Sequence, residues 1–268
     1  MKKTIVMAAI AAFIFSSNTT VYAQGGLSNV LNGLSQDKVS QGLKEALNKG
    51  IEEQVSKLTK ADGFLKNEMV KIMLPEEAQK VDKTLRNLGM GSIADQGIVL
   101  INRAAENAVK EATPIFVDAI KNMSFTDAKG ILLGGDNAAT TFLKKSTSKA
   151  LQSKFAPVIQ EQLSAIGADK AWEKIFSTYN NLPLVTAVNT NLTDYVTNQT
   201  MEGVFKMIAV EETNIRKNVG GARSNELLKD VFGKQDKVTN TENKQPEDNT
   251  SKNNNQKKSI FNIKKKKN

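Results

Sequence analysis

The chain contains no cysteine and no histidine. Without them there is no disulfide, no thiol nucleophile, no Ser-His-Asp or Cys-His pair, no Cys/His zinc site and no haem held by histidine. Any catalyst must draw on Asp, Glu, Lys, Tyr, Ser or Thr, and any protein metal site on oxygen ligands of the kind calcium or magnesium accepts. Arginine is scarce too, confined to Arg86, Arg103, Arg216 and Arg223. No cofactor and no metal site is expected.

What is present begins with an N-terminal pattern. Lys2 and Lys3 precede an apolar run, Thr4 to Phe15, and a small-residue stretch ending Val21-Tyr22-Ala23. That is the layout of a secretory signal peptide cleaved after Ala23. The run falls short of the ~20 residues that span a bilayer. The absence of cysteine excludes a lipid anchor at an N-terminal Cys. The expectation is an exported, periplasmic protein with no transmembrane segment after cleavage: residues 1–23 signal, 24–34 a lead-in, 35–233 one helical domain and 234–268 a tail.

The formal charge of +9 is unevenly placed. From Gln235 onward nine lysines face Asp236, Glu242, Glu247 and Asp248, so the domain itself stands near neutrality. Such a domain carries no basic face for nucleic acid, and no nucleic-acid partner is expected. The tail, rich in Asn and Lys with few apolar residues, reads as disordered. It could meet an anionic envelope surface by charge alone. Ile260, Phe261 and Ile263, just before the Lys264–Lys267 run, could instead make a small basic-amphipathic anchor.

Between these ends the apolar residues recur at helical steps, which predicts an all-α bundle. Val39, Leu43, Leu47, Ile51, Val55 and Leu58 form one stripe behind a Ser35 N-cap. Met69 to Leu74 is the best candidate for an extended strand, and Leu184 to Val188 for a second short one. A helix should open at Pro75-Glu76-Glu77 and another run from Ile93 to Ala112, with a restart at Pro114. Ser124-Phe125-Thr126-Asp127 and Asn191-Leu192-Thr193-Asp194 look like capping boxes. Gly134-Gly135, Gly167, Gly220-Gly221 and Gly233 mark stops.

A series of segments in fixed order resembles an uncharacterised bacterial family, domain of unknown function 4197. It includes Gly42-Leu43-Lys44-Glu45-Ala46-Leu47, Asp62-Gly63-Phe64-Leu65 and Asn102-Arg103-Ala104-Ala105-Glu106. It continues through Pro114 to Ile120, Phe125 to Lys129 and Gly134 to Thr140. Asp194-Tyr195-Val196-Thr197, Ile215-Arg216-Lys217-Asn218 and Leu227 to Gly233 close it. The resemblance covers roughly Gly26 to Gly233 and implies export and a helical fold, but no activity. The sequence departs from it at Val219-Gly220-Gly221, where the family usually has Pro-Ala-Ala, and in its Lys/Asn tail.

Two clusters could carry chemistry. Asn102, Arg103 and Glu106 share a helix flank, with Lys110 beyond, and could line a pocket with Asp118; the plainer reading is an ion-pair ladder at i,i+3 and i,i+4. Gly134, Gly135 and Asp136 could present backbone N–H groups to an anion at a helix start. They lack the spacing of a phosphate-binding loop, however, and Asp136 would repel an anion, so a tight turn with Asp136 as N-cap is favoured. Glu211 and Glu212, near Arg216, could serve a glycosidase-like acid/base pair, yet neighbouring residues on a helix point about 100° apart. Trp172, Phe176 and Tyr179 read as core. The leading functional expectation is a non-enzymatic periplasmic binding or interaction module. The alternatives are a carboxylate-dependent hydrolase of cell-envelope polymers and a helical carrier of an apolar ligand.

Overall fold

Several helices in this chain begin where a side chain accepts from the unpaired N–H groups of the first turn, and residues in the left-handed region turn the backbone after others. The computed structural model describes residues 35–75, 91–181 and 190–242, with isolated positions in between. The signal-like segment, most of the helix expected after Pro75, most of the segment Leu184 to Val188 and the Lys-rich end lie outside the described residues.

Helix α1 (Gln36–Thr59) starts behind Ser35, whose hydroxyl accepts from the Lys38 N–H. After an irregular stretch come α2 (Gly91–Ala108), a 3-10 turn (Val109–Glu111) and α3 (Ala112–Lys121). Pro114 lies in the first turn of α3, where no intrahelical N–H bond is lost. Helix α4 (Phe125–Leu133) opens with a full capping box: Ser124 accepts from the Asp127 N–H, and Asp127 accepts from the Ser124 N–H. Next follow α5 (Ala138–Ser164), α6 (Ala168–Asn180), α7 (Leu192–Lys217) and α8 (Glu226–Glu242). Asn191 caps α7 through the Asp194 N–H. Asn218 at φ 52°, Gly220 at 60° and Gly221 at 77° turn the chain from α7 toward α8.

The architecture is all-α, with no strand among the described residues. Met69 to Leu74 is therefore not a strand: it is turn followed by irregular backbone from Lys71. Gly233 does not stop α8, which runs on to Glu242 and takes in residues expected to be tail. The buried Arg223 side chain explains the extension, because it pairs with Asp236 a turn past Gly233 at 2.7 Å.

Helix α5 is central, packing on α2, α3, α4, α6 and α7. Its buried residues, Leu143, Thr147, Leu151, Phe155, Ile159 and Leu163, step by four along one face. The larger core joins the C-terminal half of α1 to α2, α3, α5, α6 and α7, with Phe64, Phe116, Phe155 and Phe176 at its heart. A smaller one joins Val39 and Leu43 of α1 to α4, the start of α5 and Leu227, Leu228, Val231 and Phe232 of α8. Trp172 and Phe176 belong to the core as expected; the Tyr179 side chain is outside the described residues. No helix among the described residues is long and apolar enough to cross a membrane.

Candidate functional site

Buried charge in this fold sits where helices end. On α2, Asn102 is fully buried and its amide treats Ile72 as a strand partner would. It accepts from the Ile72 N–H and donates to the Ile72 carbonyl, both at 2.8 Å, and also donates to the Ile98 carbonyl at 2.7 Å. A side chain thus supplies the pairing that the extended segment finds in no neighbouring strand. One turn on, Glu106 accepts from the Phe64 and Leu65 N–H groups at 3.1 and 3.3 Å and from Arg103 at 2.7 Å. Arg103 also donates to Asp62 at 2.6 Å, and Lys66 pairs with the other oxygen of Asp62. Asp62 adopts φ 69°, a left-handed conformation that aspartate tolerates better than most side chains. Hydrogen bonds from Lys66 and then Arg103 hold its carboxyl below the usual aspartate range.

Asn102, Arg103 and Glu106 are therefore together, as their spacing requires, but they clamp the 62–72 segment to α2. Asp118, grouped with them from the sequence, stands apart on α3, exposed and accepting from Asn122 at 3.2 Å. Asp62 was the missing member. Its signal was the Asp-Gly turn directly after a long helix.

The Gly134-Gly135-Asp136 turn is organised from α7. Asn137 is the N-cap of α5 but makes no side-chain cap bond, and Asp136 is exposed. The cap comes from Glu212, which accepts from the Ala139 N–H at 2.9 Å and from the N–H and hydroxyl of Thr140, both at 2.8 Å. Arg216 donates twice to Glu212 and also to the carbonyls of Ile131 and Gly134, at the closing end of α4. One buried ion pair thus places a carboxylate on the positive end of α5 and a guanidinium on the negative end of α4. The anion position at this helix start is filled by the protein itself. Asp136 does not cap the helix as expected, because a buried carboxylate from α7 already holds those N–H groups.

Arg223 repeats the device at the end of α7, donating to the Ile215 and Arg216 carbonyls at 3.1 and 2.6 Å. The guanidiniums of Arg216 and Arg223 lie 5.1 and 5.8 Å from the Phe232 ring centroid, which pins α8.

Glu211 and Glu212 do not converge. Glu211 accepts from Gln54 at 2.9 Å while Glu212 is held at the α5 cap. No group of three or more Asp or Glu is arranged to hold a metal ion among the described residues. The apolar cavity between Leu43, Leu47, Ile51, Leu143, Ile208 and Phe232 measures about 50 Å³. That is a few-carbon void beside the Glu212–Arg216 pair, far short of the 300–1,000 Å³ typical of ligand pockets.

A much roomier depression lies elsewhere, as an open groove of about 710 Å³ between α3 and α5. One wall carries Glu111, Asp118 and Asn122, with Asp127 of α4 at its end. The opposite wall is Phe142, Ser146, Ala150 and Lys154, one residue per turn of α5. Pro114, Ile115 and Ala119 complete the apolar floor. Three carboxylates against one ammonium make the lining acidic. Asp127 is held below the usual carboxylate range by the Ser124 hydroxyl and then the Ser124 N–H, so it stays ionised. Of these residues only Asp118 was a site candidate from sequence; Glu111 looks like an ordinary surface acid and Asp127 like a helix cap until α3 and α5 are set side by side.

No curated protein and no solved structure matches the chain. The family described as Protein of unknown function (DUF4197) matches residues 33–233, most of the chain, and the protein belongs to it.

Proposed function

We propose that this member of the DUF4197 family is an exported, non-catalytic binding module whose binding surface is the α3–α5 groove. One observation carries the reading: the buried carboxylates, Glu106 and Glu212, are committed to backbone N–H groups and guanidiniums, whereas Glu111, Asp118 and Asp127 together line a broad open groove with an apolar floor. A carboxylate that already accepts several hydrogen bonds is poorly placed to take a proton from a substrate. An acidic rim over Ile115 and Phe142 instead favours a cationic, partly apolar peptide segment. The Lys2–Ala23 layout supports export.

The test is binding of a labelled amphipathic Lys/Leu peptide to the mature chain. Asp118→Lys replaces attraction by repulsion at the rim and should weaken binding by roughly three- to ten-fold, less at high salt. Ala150→Trp, which fills the groove from an exposed position, should weaken it by about ten-fold or more. Binding that neither substitution changes would remove the groove from consideration. Export is tested separately by intact-mass measurement of the native protein, which should begin near Gln24.

A further inference from the structure

We propose that the groove's own occupant is the C-terminal segment of the same chain, Ile260–Lys267; this rests on the reading of the groove as a peptide-binding surface.

The match is one of charge, chemistry and length. From Lys257 to Asn268 the chain carries six lysines and no acid, against a lining with Glu111, Asp118 and Asp127 opposed only by Lys154. Its apolar residues are confined to Ile260, Phe261 and Ile263. The groove's apolar floor is similarly local, centred on Ile115 and Phe142. Phe142, Ser146, Ala150 and Lys154 mark three turns of α5, a run of roughly 18 Å. An extended peptide covers that run in about five or six residues, which is Ile260 to Lys265. In that form Phe261 and Ile263 share one side and can meet the floor, while the lysines that follow reach the acidic wall.

The tether allows it. Helix α8 ends at Glu242, leaving about 17 residues, Asn243 to Ser259, before the apolar trio. A 17-residue linker without regular structure would have an end-to-end distance of roughly 21–25 Å. The domain's radius of gyration should be roughly 17 Å, so this span is comparable to the domain's radius and serves surfaces near α8; α8 shares a core with α4, whose Asp127 lies at the end of the groove. Tethering supplies an effective concentration on the order of millimolar, enough for a weak site to be mostly filled. Apolar anchors give the tail a specificity that its lysines alone would not.

The experiment uses the mature chain, a version ending at Gln256, and a labelled synthetic peptide of residues 257–268. The shortened chain should bind the peptide. The full chain should bind it about ten-fold more weakly at every protein concentration, because its own tail competes. Ala150→Trp in the shortened chain should lower binding roughly ten-fold, and so should Phe261→Ser with Ile263→Ser in the peptide. Equal binding by the two chains, or indifference to Ala150→Trp or to loss of the apolar pair, overturns the proposal. Competition that appears only as protein concentration rises assigns the tail to a second copy and overturns it as well. If the Lys/Leu peptide occupies the groove and the chain's own peptide does not, this inference alone fails. If neither binds, the peptide-groove reading fails with it.

Discussion

Replacing Glu212 by alanine should be among the most damaging single changes to this domain. The Glu212 and Arg216 side chains are 7% and 8% exposed, and their closest approach is 2.8 Å. Removing one partner of a buried pair costs about 3–5 kcal/mol, because the other charge stays buried without its counterion. Here the Ala139 and Thr140 N–H groups also lose their acceptor, and each orphan donor is worth about 1–3 kcal/mol. These penalties overlap, since water can enter the vacated site, so a net loss of about 4–5 kcal/mol is expected. For a domain of this size that corresponds to roughly 8–20 °C in melting temperature. Glu212→Gln keeps an acceptor for the α5 N–H groups but faces Arg216 without charge, and should lose about half as much. Glu211→Ala is the milder comparison: it breaks no ion pair but leaves the amide of buried Gln54 without its acceptor, and should cost about 1–2 kcal/mol. Urea unfolding followed by circular dichroism measures all three. Equal costs for Glu211→Ala and Glu212→Ala, or a loss below 1 kcal/mol for the latter, would refute the claim that this pair ties α4, α5 and α7 together.

Asn102→Leu leaves the N–H and carbonyl of Ile72 unpaired in the core, and should cost about 2–4 kcal/mol. The Ile72 amide should then lose its hydrogen-exchange protection. A chain ended after Glu242 should lose less than about 1 kcal/mol by thermal melting, whereas ending it after Gly233 removes the half-exposed Asp236 from the buried Arg223 and should cost about 1.5–3 kcal/mol. Asp62 is held below its ordinary value by Lys66 and Arg103, so its contribution is complete above the unfolded-state value of about 3.9 and fades as pH falls through the lower folded value. Wild type should accordingly lose more stability than Asp62→Asn between pH 5 and pH 2 by about the same assay; parallel losses would deny Asp62 that role.

The local code was legible wherever a helix carries its own punctuation. Ser35, the Ser124/Asp127 box, Asn191 and Gly220-Gly221 act through neighbours a few residues away, so their roles can be read without knowing the fold. The buried stripe of α1 is equally local, because periodicity decides which face is apolar whatever it packs against. Tertiary structure decided everything that depends on two distant segments meeting. Gly233 has the composition of a stop, yet the helix passes through it because Arg223 reaches Asp236. Asp136 has the form of an N-cap, yet Glu212 takes that place from 72 positions away in sequence. Asn102, Arg103 and Glu106 clustered as their spacing required, but whether they faced a ligand or a loop depended on where residues 62–72 were laid. Charged and polar side chains carry no record of their partner, since one carboxylate can cap a helix, pair with arginine or face solvent at nearly the same local cost. Glu111, Asp118 and Asp127 became a lining only when α5 was packed beside α3, and that juxtaposition is a property of the bundle.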